Sequence, residues 1–84
     1  SLGRTRHSSI LEEHKNLAEK GAELVELRVD YMRKRPDMGR LLKERPTPVV
    51  VTCRRRSDRG RWFGTEEQRL AVLREAIIGG AEYV

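Results

Sequence analysis

The sequence predicts an α/β fold in which parallel strands alternate with crossover helices. Segments whose apolar residues recur at helical spacing alternate with short runs in which every second residue is apolar. The pattern Gly-Ala-Glu-x-Val occurs twice, at 21–25 and at 80–84, each time where a helix should end and a strand begin. Repeated helix–strand units of this kind are typical of parallel sheets.

The first helix is predicted to begin at Ser8 and Ser9, whose hydroxyl oxygens can accept hydrogen bonds from the free N–H groups of a first turn. Glu12 and Glu13 then place negative charge near the positive end of the helix dipole. Gly21 predicts the end of this helix. Its apolar face, in which His14 is expected to be packed, comprises Ile10, Leu11, His14, Leu17 and Ala18.

The first strand is predicted within 22–30, because apolar residues at 25, 27 and 29 alternate with three charged ones. Glu26, Arg28 and Asp30 should therefore project from one side of it. A short helix is predicted after Pro36-Asp37, and two closely spaced prolines predict a loop over 45–48.

The run 49–53 is apolar and β-branched, which predicts a second strand. Cys53 is expected to be a small buried residue that faces the covering helices. Thr65 and Gln68 have the spacing of a capping box at the start of a further helix. Gly79-Gly80 should end this helix before another strand begins at Ala81. Its apolar face is predicted at Leu70, Leu73, Ala76 and Ile77.

Length and composition exclude several classes of protein. With 84 residues the chain can form one small domain at most, and 18 Lys and Arg against 13 Asp and Glu give a net charge of +5. A single cysteine excludes an intrachain disulfide, and with His7 and His14 it forms no metal-ligand spacing. No uninterrupted apolar run is longer than four residues, which excludes a transmembrane helix. A free thiol and an N-terminus without an apolar signal core predict a cytoplasmic location.

The charged side of the first strand is the strongest indication of function. Parallel sheets are normally covered on both faces, so charged residues along a strand need a functional reason, whereas in an open antiparallel sheet they would form a solvated face. Arg54, just after the second strand, should join Glu26 and Arg28 at the carboxyl edge of the sheet. Arginine binds carboxylates in a bidentate manner and glutamate accepts from hydroxyl groups. The expected ligand is an anionic, hydroxylated small molecule.

The loop 54–64 favours an alternative function. Five of its first eight residues are arginine, and Trp62 and Phe63 follow. Such a loop could bind nucleic acid or another polyanion, although the chain has no recognised helix-turn-helix, RNA-recognition or zinc-finger pattern. A solvated loop with a few functional positions is the simpler interpretation. The third interpretation is a different α/β-barrel enzyme, in which the same arginines hold phosphate or carboxylate.

The motifs together resemble type I 3-dehydroquinate dehydratase. The resemblance lies in Glu26-Leu27-Arg28-Val29-Asp30, in Thr52-Cys53-Arg54 and in Gly64-Thr65-Glu66-Glu67, and it extends over the whole chain. It implies that residues 1–84 are a single segment, roughly the N-terminal third of a (β/α)8 TIM barrel, and not a complete domain. We also expect a segment of a larger protein because the last predicted strand breaks off at Val84.

The resemblance implies a hydro-lyase of the shikimate pathway that converts 3-dehydroquinate to 3-dehydroshikimate through a Schiff base on a lysine, without a cofactor. That lysine and a proton-moving histidine are expected on later strands, so the chain alone should be inactive and holds no catalytic residue. The expected partners are the substrate and the remainder of the barrel; a homodimer is compatible with it, whereas nucleic acid and membrane are not expected. Substrate-binding roles are implied for Glu26, Arg28, Arg54 and Ser1, and Asp58 stands where many members carry a glutamate near the histidine.

Overall fold

The computed structural model describes residues 2–84 and contains three helices and two strands. None of the helices in this range is long and apolar enough to span a bilayer. Short 3₁₀ turns follow each strand, at Val29–Tyr31 and Arg56–Asp58. In chain order the elements are α1 (His7–Glu19), β1 (Val25–Arg28), α2 (Met38–Leu42), β2 (Val49–Thr52) and α3 (Glu66–Ile78).

The two strands pair in parallel, as the sequence predicts, with Val25 opposite Val49 and Arg28 opposite Thr52. The connection between them runs through α2, and α3 leads from β2 towards the end of the chain. The predicted short helix is confirmed, since the Asp37 carboxylate accepts a hydrogen bond from the backbone N–H of Arg40 at 3.1 Å. The chain is therefore an α/β structure with crossover helices.

Two further segments extend the sheet on either side. Leu2 bridges Leu27 in parallel, and its N–H donates to the carbonyl of Glu26 at 2.7 Å. Tyr83 bridges Val50 in parallel on the other edge of the sheet. There the carbonyl of Tyr83 accepts a hydrogen bond from the N–H of Val51 at 2.9 Å. The strand predicted from Ala81 is thus present as a single parallel bridge. The four parallel segments lie side by side in chain order.

One face of the sheet packs with the helices in a common core, and the other carries half-buried residues. On the packed face the side chains of β1 and β2 that are buried are Val25, Leu27, Val49 and Val51. Cys53 is buried next to them, as predicted. The residues between them along each strand, including Glu26, Arg28 and Thr52, are half-buried on the opposite face. The predicted alternation of apolar and charged residues therefore separates a packed face from a polar one.

The predicted start of α1 is wrong. The helix begins at His7 after the N-cap residue Arg6, and no side chain caps it, so that Ser8 and Ser9 lie inside its first turn. Contacts with the chain that follows β1 hold this end instead: the Thr5 carbonyl accepts from the N–H of Arg33 at 3.2 Å. His14 is buried as expected, with its Nε2 2.7 Å from the hydroxyl oxygen of Thr47.

The predicted face of α3 is also wrong in part. Val72 and Ala76 are the buried residues of this helix, whereas Leu70 and Ile77 are 46% and 59% exposed. Apolar residues occur on several sides of α3, so their spacing does not select one face. Both ends of the helix are as predicted, with a Thr65–Gln68 capping box at one end and Gly79 as C-cap at the other.

Candidate functional site

The polar face of the sheet brings Glu26 and Thr52 together. Glu26 lies in the middle of β1, and the Thr52 hydroxyl at the end of β2 donates to its Oε2 at 2.8 Å. Both side chains are half-buried, and the bond joins the two strands close to their carboxyl ends. A carboxylate fixed in this way can still accept hydrogen bonds from hydroxyl groups of a ligand.

Arg28 lies at the carboxyl end of β1, where its guanidinium is held on one edge and on one face. Its Nε and Nη2 donate to the two carboxylate oxygens of Asp30 at 3.1 and 2.9 Å. Its central carbon lies 4.8 Å from the centre of the Tyr31 ring. Its Nη1 amino group makes no hydrogen bond within residues 2–84, so it can donate to an anionic ligand.

Asp30 lies just beyond β1, in the first 3₁₀ turn, and is 1% exposed. Its Oδ2 also accepts from the backbone N–H of Arg61 at 2.9 Å. Burial by itself raises the pKa of this carboxyl, but the hydrogen bonds from Arg28 and from the backbone of Arg61 and Arg54 bring it below its ordinary value. The carboxylate therefore stays ionised and paired with Arg28.

Arg54 directly follows β2, and its side chain is exposed. The loop that it begins folds back onto it. Arg59 adopts a left-handed conformation (φ 64°), Gly60 packs against the Arg54 main chain, and the Trp62 N–H lies 3.4 Å from the Arg54 carbonyl oxygen. Within residues 2–84 the Arg54 guanidinium makes no ion pair, so it can bind an anion at the same edge of the sheet as Arg28.

Asp58, to which a site role is also assigned, does not join this group. Asp58 accepts from Arg55 Nε at 2.8 Å, and both side chains are 52% exposed. Its predicted place near a catalytic histidine stays a prediction. Ser1 lies outside the described residues.

The rest of the loop 54–64 is engaged in internal contacts. Arg61 lies over the Tyr31 ring, 4.5 Å from its centre, on which Arg28 also packs. Trp62 and Phe63 stack on each other with their ring centres 6.3 Å apart, and Trp62 Nε1 donates to the carbonyl of Thr65 at 2.9 Å. The aromatic residues of the loop are therefore held by one another and by the start of α3.

No side chain of the described part has the features of an activated nucleophile. Burial raises the pKa of the Cys53 thiol to about 12, which keeps it protonated and unreactive. The four lysines are exposed and lie outside both strands: Lys15, Lys20, Lys34 and Lys43. Among the described residues, neither this thiol nor these lysines are therefore placed as nucleophiles at the polar face of the sheet.

Sequence reasoning missed the roles of Asp30, Tyr31 and Gly60 at this site. The sequence predicts Asp30 only as a third charge along the strand, although two opposite charges two positions apart could also indicate an ion pair with Arg28. The glycine at 60, between two arginines, is the only signal for the close approach of the loop to Arg54. Nothing in the sequence indicates that Tyr31 packs against two guanidinium groups.

Comparison with known proteins gives a consistent result. A family model described as type I 3-dehydroquinase matches residues 1–84. A 3-dehydroquinate dehydratase from Desulfotalea psychrophila is 39% identical over 64 residues, which cover 76% of this chain and 28% of that protein. The chloroplastic bifunctional 3-dehydroquinate dehydratase/shikimate dehydrogenase of Arabidopsis thaliana is 36% identical over 69 residues, 79% of this chain and 11% of that protein.

A 3-dehydroquinate dehydratase from Methanosarcina mazei is 36% identical over 69 residues, 75% of this chain. The match again covers 28% of the relative, so the chain spans less than a third of the length of these proteins. Because the family model extends over all 84 residues, the chain belongs to the type I 3-dehydroquinase family.

Proposed function

We propose that residues 1–84 form the substrate-binding part of an enzyme that dehydrates 3-dehydroquinate to 3-dehydroshikimate. The observation that carries the proposal is the arrangement of Glu26, Arg28 and Arg54 at one edge of a parallel sheet. Ligands of parallel α/β folds bind at the carboxyl ends of the strands. Arg28 is the last residue of β1, Arg54 follows β2, and Glu26 is bonded to Thr52, the last residue of β2. The names of the relatives support the choice of substrate.

A (β/α)8 barrel is the fold that we propose for the whole enzyme. Such a barrel requires parallel strands that neighbour one another in chain order. The order of Leu2, β1, β2 and Tyr83 agrees with this requirement. In a closed barrel the polar face with Glu26 and Arg28 would line the interior near the active-site end. Later strands would then complete the wall around the substrate.

The reaction divides the work between this segment and the rest of the enzyme. Loss of a hydroxyl group from the carbon β to a ketone is eased when a lysine forms an imine with that ketone. The imine accepts the electron pair left when the α proton is removed, and this pair then expels the hydroxyl as water. The lysine and the histidine that moves the protons are expected outside residues 1–84. Arg28 and Arg54 are suited to hold the carboxylate and ring of the substrate, and Glu26 to accept from a hydroxyl group. This segment would therefore supply orientation.

Binding of a polyanion through 54–61 is the competing function, and no contact of the loop favours it. Arg55 is neutralised by Asp58, and Arg61 lies on Tyr31. Trp62 and Phe63 stack on each other, although Phe63 remains 65% exposed. The two functions nevertheless predict different behaviour for the arginines of this loop, which makes a direct test possible.

The test compares Arg54→Ala with Arg56→Ala in the full-length protein that contains this segment. Both side chains are exposed in the same loop, so Arg56 is a matched control. A positioned charged hydrogen bond is worth roughly 1.5–3 kcal/mol, which corresponds to a loss of about ten- to a hundredfold in kcat/KM for Arg54→Ala. Arg56→Ala should change kcat/KM by less than about threefold, because exposed charges contribute little.

A polyanion-binding loop would give another result. Both substitutions would then weaken binding to a nucleic acid by similar amounts, and each would reduce the salt dependence by about one unit of slope per lost phosphate contact. Equal effects of the two substitutions on dehydration, or a wild-type protein that does not dehydrate 3-dehydroquinate, would reject the proposed function.

A further inference from the structure

We propose that Asp30 is a positioning residue, which fixes the substrate-binding arginines Arg28 and Arg54 without contacting the substrate itself. The inference rests on the proposed function, in which both arginines bind substrate. Asp30 is a buried charge that is not itself one of the proposed binding residues, and the positioning role accounts for its presence beside them.

The first part of the argument concerns the orientation of Arg28. The Asp30 carboxylate accepts hydrogen bonds from Nε and Nη2 of Arg28. The edge of the guanidinium that faces the carboxylate is therefore occupied, and the plane of the guanidinium is fixed. Tyr31 covers one face of the same group. With one edge and one face held, the opposite edge with Nη1 has a defined direction. A freely rotating arginine would have no fixed direction before the substrate binds. Binding would then cost additional side-chain entropy, because the arginine would have to become ordered.

The second part concerns Arg54, which Asp30 reaches through the backbone of the loop. The Oδ2 atom of Asp30 accepts from the N–H of Arg61 at 2.9 Å. The residues on either side of Arg61 both contact the main chain of Arg54: Gly60 packs against its carbonyl group, and the Trp62 N–H lies 3.4 Å from its carbonyl oxygen. One buried carboxylate therefore connects the end of β1 with the loop that begins at Arg54.

The third part concerns charge, and it separates two roles that Asp30 could have. Asp30 neutralises Arg28, so it weakens the attraction of this site for an anion. If Arg28 acted only as a point charge, Asp30→Asn would free that charge and lower KM for an anionic substrate. If Arg28 acts through its direction, the same substitution should raise KM. The amide of asparagine has the size of the carboxylate, but its NH₂ group is a donor. One of the two N–H groups of Arg28 that point at this side chain would therefore face another donor and lose its hydrogen bond.

The experiment uses the full-length protein with Asp30→Asn, Arg28→Ala and the double variant, assayed for dehydration of 3-dehydroquinate. Asp30→Asn should raise KM and lower kcat/KM by roughly ten- to a hundredfold, as expected for a lost charged contact. The double variant should lose clearly less than the product of the two single effects, because both substitutions disable one unit. Glu75→Gln is the matched control, since Glu75 also pairs with an arginine, Arg35 at 2.8 Å, but on the exposed side of α3. It should leave KM unchanged.

Several results would overturn the positioning role. A KM that falls or stays constant in Asp30→Asn would do so, as would single effects that multiply in the double variant. A loss confined to the fraction of active protein, counted by borohydride trapping of the substrate adduct, would indicate a merely structural residue. A wild-type protein without dehydratase activity would reject the proposed function and the positioning role with it. With an active wild type, an unchanged KM rejects the positioning role alone.

A second measurement needs no variant and remains decisive if Asp30→Asn fails to fold. In a crystal structure of the wild-type enzyme with product bound, Arg28 should contact the product while both its bonds to Asp30 persist. A direct hydrogen bond from the product to Asp30, or an Arg28 side chain that leaves Asp30 on binding, would overturn the proposal.

Discussion

Replacing Gly60 by alanine would put a methyl group where the main chain of Arg54 already lies. A Cβ atom on Gly60 would be 2.0 Å from the Arg54 carbonyl oxygen and 2.3 Å from its carbonyl carbon. Contacts of this kind are essentially never shorter than 3.0 Å, so one of the two backbones must move by about 1 Å. The obstacle is main chain and not the flexible end of a side chain, which excludes a simple rotamer change as relief.

The cost of such overpacking is typically about 1–3 kcal/mol. In a protein of 150–250 residues this lowers the unfolding temperature by roughly 2–12 °C. The shift should also reach the function, because the displaced residue is Arg54. We expect Gly60→Ala to lower kcat/KM for 3-dehydroquinate together with the unfolding temperature.

Gly39→Ala is the matched control for this substitution. A Cβ atom at Gly39, inside α2, would have the Asp37 carboxylate as its nearest neighbour at 3.5 Å, which is an ordinary contact. Alanine favours helix over glycine, so the same chemical change should stabilise the protein here by about 0.4–1 kcal/mol. The two substitutions should therefore shift the unfolding temperature in opposite directions. A Gly60→Ala protein as stable and as active as wild type, or two shifts of the same sign, would refute this reasoning.

Two further predictions concern buried titratable groups. Burial raises the pKa of Cys53 to about 12, so iodoacetamide at pH 8 should alkylate the thiol only after the protein is denatured. Mass spectrometry follows the alkylation, and fast modification of the native protein would contradict the burial of this thiol. Burial lowers the pKa of His14 from 6.5, so the unfolded state binds more protons and stability should fall as the pH decreases through about 6.5. Urea unfolding between pH 8 and pH 5 should show this slope, and His14→Gln should reduce it; an unchanged slope would assign the effect to other groups.

Much of the fold follows from local pattern in the sequence. The alternation of residues along 25–28 predicts which side of β1 is buried, because successive side chains of a strand point to opposite faces. The Gly-Ala-Glu-x-Val repeat marks two places where a helix gives way to a parallel segment. Glycine ends both helices for the same reason, since Gly21 and Gly80 adopt positive φ angles of 94° and 93°.

The sequence-based predictions are wrong or incomplete where a feature depends on contacts between distant parts of the chain. The side of α3 that packs cannot be chosen from its sequence, because Leu70 on one side and Val72 on another are equally apolar. The start of α1 depends on a backbone contact between Thr5 and Arg33, which no capping rule contains. At the site, the strand pattern predicts that Glu26, Arg28 and Arg54 belong to two neighbouring strands and the loop that follows. The bond from Arg61 to Asp30 spans 31 positions and depends on how the loop folds back.

The side-by-side order of the parallel segments bears on how the chain acquires its structure during synthesis. Each segment pairs with the one made just before it, first Leu2 with β1, then β1 with β2, then β2 with Tyr83. Each loop that must close spans 24 to 33 positions, so no pairing requires a more distant part of the chain. A nascent chain leaves the ribosome from its N-terminus, so every new segment meets a neighbour that is already available as a template. The sheet can thus grow in the direction of translation.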